Sequence, residues 1–163
     1  HLPPSRYLLE AVDKVSDRTF TLSRSKALLR ISEYILDAAV VPLRADLFTG
    51  PARSVSSLHQ DITYTVPYFS EPSLTVWCTI RADKPGRIKL HSLKGLDVTC
   101  QGMQAIHDVP ISQSVALNTN MVLVTRGEQV YQAVFPVGCI VLAFRYRMSS
   151  YREGFCGSPP KES

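Results

Sequence analysis

The sequence carries few of the signatures that usually betray an enzyme. It has no Gly-x-Ser-x-Gly elbow for a serine nucleophile. It has neither Gly-x-x-x-x-Gly-Lys-Ser/Thr nor Gly-x-Gly-x-x-Gly, so no phosphate-cradling loop is written in it. The four cysteines, Cys78, Cys100, Cys139 and Cys156, include no pair at two-residue spacing and sit in no Cys/His cluster, which argues against a zinc site. No Asn-x-Ser/Thr acceptor occurs, so one mark of a secreted surface is missing. The longest weakly polar run, 130–144, contains Gln132 and Pro136 and falls short of a membrane span. A chain of 163 residues needs neither disulfides nor metal to build a core. Reduced thiols and a cytoplasmic location are therefore expected, with a secreted, disulfide-bearing sandwich as the alternative.

Charge excludes little. The net charge of +4 is mild, and a solvated basic surface accounts for it without nucleic acid. Histidines and carboxylates suggest no catalytic pair. His59, His91 and His107 stand in no recognisable catalytic context, and Asp61, Asp83, Asp97, Asp108 and Glu128 fall mostly at turns or strand ends. No cofactor is expected. The chain opens on His-Leu-Pro-Pro, with no initiator Met and no basic-then-apolar leader, and so reads as an excised or processed segment.

What is present is periodicity of two. From 130 to 148 the chain reads VYQAVFPVGCIVLAFRYRM. Ile140, Leu142, Phe144 and Tyr146 alternate with Val141, Ala143, Arg145 and Arg147, which predicts a strand with the first set buried and the second outward. Ile62, Tyr64 and Val66 alternate in the same way up to Pro67. In the next run Leu74, Val76, Cys78 and Ile80 are expected to face inward, with Thr75, Trp77, Thr79 and Arg81 outward. After the turn Asp83-Lys84-Pro85-Gly86 come Ile88, Leu90 and Ser92 on one face and Arg87, Lys89 and His91 on the other. These two runs predict a hairpin. Leu96–Cys100 makes a further short strand, 102–110 a connection, and 114–125 a strand or bent pair of strands.

Residues 1–42 read differently. Ser5 is a candidate N-cap, and Tyr7, Leu8, Ala11, Val12 and Val15 recur at helical spacing. A second helix is predicted after Ser23 or Ser25, with Leu28, Ile31, Ile35 and Ala38 as its stripe and Pro42 as its stop. The competing reading is two strands, Thr19–Leu22 and Ala27–Ile31. The expected organisation is thus an N-terminal helical segment or end of a preceding domain (1–42), a β-sandwich domain (43–150) and a flexible tail (151–163). The fold class is mainly β: a two-layer antiparallel, immunoglobulin-like sandwich with helices in front.

Two resemblances accompany this reading. Lys94-Gly95-Leu96-Asp97-Val98 resembles the Gly-Leu-Asp-Leu/Val element of the trimeric deoxyuridine triphosphatase family and its inactive herpesvirus relatives, and Leu142–Tyr146 is similar to strands of those viral proteins. The family's Ser-Gly phosphate segment and Gly-rich arm are missing, so the likeness implies at most an inactive nucleotide- or nucleic-acid-related β domain. Across 60–148 the pattern is also similar in style to immunoglobulin-like modules of vesicle-tethering and coat subunits, which implies a subunit of a larger assembly.

The function expected from the sequence is therefore a non-enzymatic protein–protein interaction module, without a small-molecule substrate and with nucleic acid as the lesser alternative. Its candidate partner-binding patch is Trp77, Arg81, Arg87, Lys89 and His91: a basic strip on outward strand positions joined by an exposed aromatic.

Overall fold

The computed structural model describes residues 8–49, 54–55, 72–91 and 110–149. Nine strands and two helices are present among them: β1 (Leu8–Leu9), α1 (Asp17–Ser23), α2 (Lys26–Leu36), β2 (Val40–Phe48), β3 (Ser54–Val55), β4 (Ser73–Ala82), β5 (Gly86–His91), β6 (Ile111–Leu117), β7 (Val122–Arg126), β8 (Tyr131–Phe135) and β9 (Cys139–Met148), with a single 3-10 turn at Val12–Lys14. The protein is mainly β, with two antiparallel sheets and few helices. A five-stranded sheet runs β1-β2-β9-β4-β7 and a four-stranded sheet runs β3-β8-β5-β6.

Most successive strands change sheets. β2, β4, β7 and β9 lie in one layer, and β3, β5, β6 and β8 in the other. This order is that of a double-sheet jelly roll. It corrects the immunoglobulin-like refinement, because strand count and turn spacing are common to both architectures and only the pairing separates them. It also corrects the expected β4–β5 hairpin: β4 pairs with β7 and β9, while β5 pairs with β6 and β8. The segment at 114–125 is two strands, divided at Asn118–Asn120, where Asn120 takes φ 63. Pro136 and Gly138, the latter at φ 79, separate β8 from β9 as the turn chemistry predicts.

The N-terminal helices start later than predicted. Residues from Leu8 onward make a short strand and a 3-10 turn in place of the first helix. The first true helix begins after Ser16, whose hydroxyl accepts from the Thr19 backbone N–H at 3.3 Å and so caps it. α2 follows Ser25, as expected, but ends at Asp37 in the left-handed conformation (φ 51), five residues before Pro42. Pro42 lies inside β2, beside a register shift between Pro42 and Arg44. The two-strand alternative for 19–31 is overturned.

These helices explain why alternation misassigned the faces. Leu28, Leu29, Ile35 and Leu36 pack onto Leu74, Val76, Cys78, Leu142, Phe144 and Tyr146 of the five-stranded sheet. The opposite face of that sheet meets the four-stranded sheet through Trp77, Val141, Ala143, Ile88, Leu117, Tyr131, Ala133 and Phe135. The central strands β4 and β9 are therefore buried on both sides, and the positions read as outward are interior. Each large apolar side chain withdrawn in this way contributes about 1.5–3 kcal/mol. The predicted strands at 62–66 and 96–100, the connection before Pro110 and the tail lie outside the described residues.

Candidate active site between the sheets

The inner face of the five-stranded sheet divides into two halves. Period-two alternation along β4 and β9, together with their register, puts Ser73, Thr75, Trp77 and Thr79 on this face with Arg147, Arg145, Ala143 and Val141 opposite them. On β2 the same face carries Arg44, Asp46 and Phe48. On β7 it carries Thr125 and Leu123, opposite Thr75 and Trp77. One half is apolar and aromatic: Phe48, Trp77, Leu123, Val141 and Ala143. The other is polar: Arg44, Asp46, Ser73, Thr75, Thr125, Arg145 and Arg147.

The apolar half is filled. Trp77 is fully buried, with Tyr131 edge-on at 5.4 Å between ring centroids and Phe48 at 5.7 Å. Its indole N–H donates to Thr125 Oγ1 at 3.0 Å, which satisfies the one polar atom the ring carries into the core. This contact marks the boundary between the two halves.

The polar half is organised by Asp46. Its carboxylate is fully buried. It accepts from Arg145, itself only 5% exposed, and from Arg44 at 3.0 Å. Arg44 and Arg145 stand opposite each other in the β2–β9 register, where two like charges repel unless an anion lies between them. Asp46 is that anion. Its second oxygen accepts from the backbone N–H of Ala11 at 2.9 Å, and Asp13 accepts from the N–H of Ala45 at 2.8 Å. Where β1 ends, the Asp13 carboxylate thus takes over a backbone donor on the edge of β2, while Asp46 ties the chain at Ala11 back to that strand. Arg44 spans outward from this buried centre, with 30% of its side chain exposed, so the polar half reaches solvent.

Chain connectivity concentrates on the same end. β4 begins there at Ser73, whose carbonyl accepts from Gly127 N at 2.8 Å as β7 gives way to β8. β5 ends there at His91, whose N–H donates to Val130 O at 3.0 Å. His91 and its register partner Ile111, which flank 92–109, lie at this end, as does Pro72, which follows 56–71, whereas Val55, which precedes 56–71, pairs with Val134 toward the other end.

The sequence-predicted patch does not assemble. Trp77 is interior, so it is not the exposed aromatic expected. The error arose because its face of β4 is covered by the second sheet. Arg81 is exposed at the β4–β5 turn, where its guanidinium makes two hydrogen bonds to Asp83, at 2.9 and 3.0 Å. That bond, before simple charge attraction, raises its pKa. Arg87 and Lys89 lie on the face of the four-stranded sheet that points away from Trp77. His91, at the end of β5, is buried, and its carbonyl accepts from Gln129 Nε2 at 2.9 Å. Arg145 and Arg147, expected outward, line the interior instead. The sequence reading passed over Arg44 and Asp46. Their signal was two charges two residues apart in the apolar run VPLRADLF, on one face of a strand.

Burial raises the thiol pKa of Cys78. It also raises that of Cys139, against a smaller lowering by a hydrogen bond from the Gly86 backbone. Both are free thiols facing packed apolar surfaces, so neither is an activated nucleophile. Among the described residues no three His, Cys, Asp or Glu side chains are placed to hold a metal ion.

No protein-family model matches the sequence, and no curated protein does either. Solved structures do. The chain is similar to the non-heme alpha ketoglutarate dependent epimerase SnoN from nogalamycin biosynthesis, with a TM-score of 0.69 at 13% identity over 86% of this chain. It is similar to AviO1 from Streptomyces viridochromogenes Tue57, with a TM-score of 0.67 at 15% identity, covering 88% of this chain and 67% of that one. EvdO2 from Micromonospora carbonacea var. aurantiaca, complexed with 2-oxoglutarate, gives a TM-score of 0.63 at 14% identity, covering 87% of this chain and 66% of that one. The chain spans 62% of the SnoN structure's length. At such identities the likeness shows the fold.

That finding overturns the expectation of a non-enzymatic interaction or transport module without a small-molecule ligand. The scaffold is one on which enzymes are built, and a solved SnoN complex holds Fe3+, alpha ketoglutarate and nogalamycin RO. The inactive-triphosphatase alternative falls with it. Its Lys94–Val98 element lies outside the described residues, and Leu142–Tyr146 is a central strand buried on both faces.

Proposed function

We propose that this chain is the β core of a small-molecule enzyme of the non-haem iron, 2-oxoglutarate type, with its ligands held at the polar half of the inter-sheet face. The observation that carries the reading is the division of that face. A packed aromatic half closes one end, and an arginine-bearing polar half opens to solvent at the other, on a scaffold similar to SnoN and EvdO2. Ligand sites in double-sheet folds sit between the layers and combine apolar walls with a few convergent polar groups.

The described residues do not by themselves fit an iron ion, since they form no three-ligand cluster. Non-haem iron centres of this kind use two histidines and one carboxylate. On sequence grounds alone, His59, Asp61 and His107 are the candidates. What the described residues would supply is recognition of acidic ligands by Arg44, Arg145 and Arg147, since arginine engages carboxylates through two parallel N–H donors. A cytosolic location belongs to the same proposal, and the free thiols of Cys78 and Cys139 support it. Among the described residues no helix is long and apolar enough to cross a membrane.

Anaerobic calorimetric titration tests the reading. Fe(II) or Ni(II) should bind, 2-oxoglutarate should bind more tightly once metal is present, and both effects should vanish when His59 and Asp61 are replaced by Ala. A protein that takes up neither metal nor 2-oxoglutarate would not be an enzyme of this type.

A further inference from the structure

We infer that the helix-bearing face of the five-stranded sheet, at its end near the β8–β9 turn, docks one amphipathic helix of a partner protein, apolar on one side and acidic on its flank. This surface lies across β4 and β9 from the proposed ligand site and does not depend on it.

Strand register carries the inference. Leu9 pairs with Leu47, Leu47 with Leu142, Leu142 with Cys78, and Cys78 with Val122, so one apolar row crosses all five strands. The next row toward the arginine end, Ala45, Phe144, Val76 and Val124, belongs to the core that α2 closes. The row through Leu142 is covered only at its middle. Its two ends stay open, with Leu9 53% and Val122 52% exposed. Ile80, at the bulge beside Ile140, adds another apolar side chain that is 50% exposed. Exposed apolar residues are ordinary when scattered, but joined in register they make a continuous strip, and such strips mark contacts.

Size and charge select the occupant. Four strand spacings make the strip about 19 Å long, the length of a helix of about 13 residues. One helix diameter wide, it offers on the order of 200 Å², well short of the ~800 Å² per partner of a standard interface. A second copy of the chain would not be held by this strip alone. A single helix laid across the strands extends the existing helical layer and anchors through residues three and four apart. From 17 to 36 that layer carries Arg18, Arg24, Lys26 and Arg30 against Asp17 and Glu33. The flank of the incoming helix that faces it is therefore acidic.

The probe is a labelled synthetic helix of about 13 residues, leucines on one face and glutamates on the other, titrated into the full chain by fluorescence anisotropy. It should bind at least about tenfold more tightly than a scrambled peptide of the same composition, and than its lysine counterpart. Val122→Asp, at an exposed position, should weaken it by about tenfold or more. Bound peptide should also shield the Cys78 thiol from maleimide, read by mass spectrometry of the wild-type chain. Equal binding of the scrambled peptide, tighter binding of the lysine peptide, or unchanged affinity in Val122→Asp would overturn the assignment. If Val122→Asp fails to fold, Cys78 decides, and labelling that the peptide leaves unchanged overturns it. Sedimentation that finds a wild-type dimer, dissociated by Val122→Asp, would give the strip to a second copy and overturn it as well.

Discussion

Arg145 on β9 and Asp46 on β2, ninety-nine residues apart in sequence, form an ion pair inside the sandwich, with both side chains withdrawn from solvent. The pair sits where a purely apolar core would be expected, and the Asp46 carboxylate also holds Arg44 and the Ala11 N–H. Buried ion pairs of this kind contribute little net stability when intact, but breaking one side leaves an uncompensated charge.

Replacing Asp46 with Ala should therefore destabilise the protein by about 3–5 kcal/mol. Urea unfolding measures this. The loss should exceed that of Arg145→Met, which removes a buried charge and fills its space. Equal losses would mean that Asp46 is not the organising anion.

Trp77 gives a second prediction. Its ring is fully buried among Phe48, Tyr131 and Phe135, so Trp77→Ala should cost about 3–5 kcal/mol through the cavity left behind. Trp77→Phe should cost less, with part of the loss coming from Thr125 Oγ1 surrendering its donor. A melting temperature unchanged in Trp77→Ala would return the residue to the surface.

Tyr146 sets a third, through pH. Burial, then the neighbouring Cys78, raises its pKa above the ordinary tyrosine value, with Arg24 acting weakly in the other direction. Its hydroxyl donates to Ser23 O at 2.7 Å beneath α1. The unfolded chain ionises near pH 10 and the folded one only above that. The contribution is therefore complete below about pH 10 and is lost as pH rises toward the folded value. Tyr146→Phe should cost roughly 1 kcal/mol at pH 8 and flatten the alkaline fall in stability. Urea midpoints between pH 8 and 11 would show whether the two curves converge.

Several elements were legible in the sequence because their cause is local. The alternation of Ile140–Tyr146, the turn at Pro136–Gly138, the break near Asn120 and the second helix after Ser25 each follow from side-chain period or backbone preference within a few residues. The faces were not legible. Thr75, Trp77 and Arg145 look like outward positions in any window, because alternation separates two sides of a strand without saying what covers either.

Arg44 and Asp46 show the same limit from the opposite direction: two charges two residues apart in VPLRADLF give no sign of their partner until β9 brings Arg145 against them. Local chemistry determined where α2 and most of the strands from β4 onward run and which residues share a side. Only long-range pairing decided that β4 and β9 lie between helices and a second sheet, and that Arg44, Asp46 and Arg145 meet on the face between the layers. The reason is energetic, since the charge on Asp46 and the ring of Trp77 find their compensating partners 99 and 48 residues away.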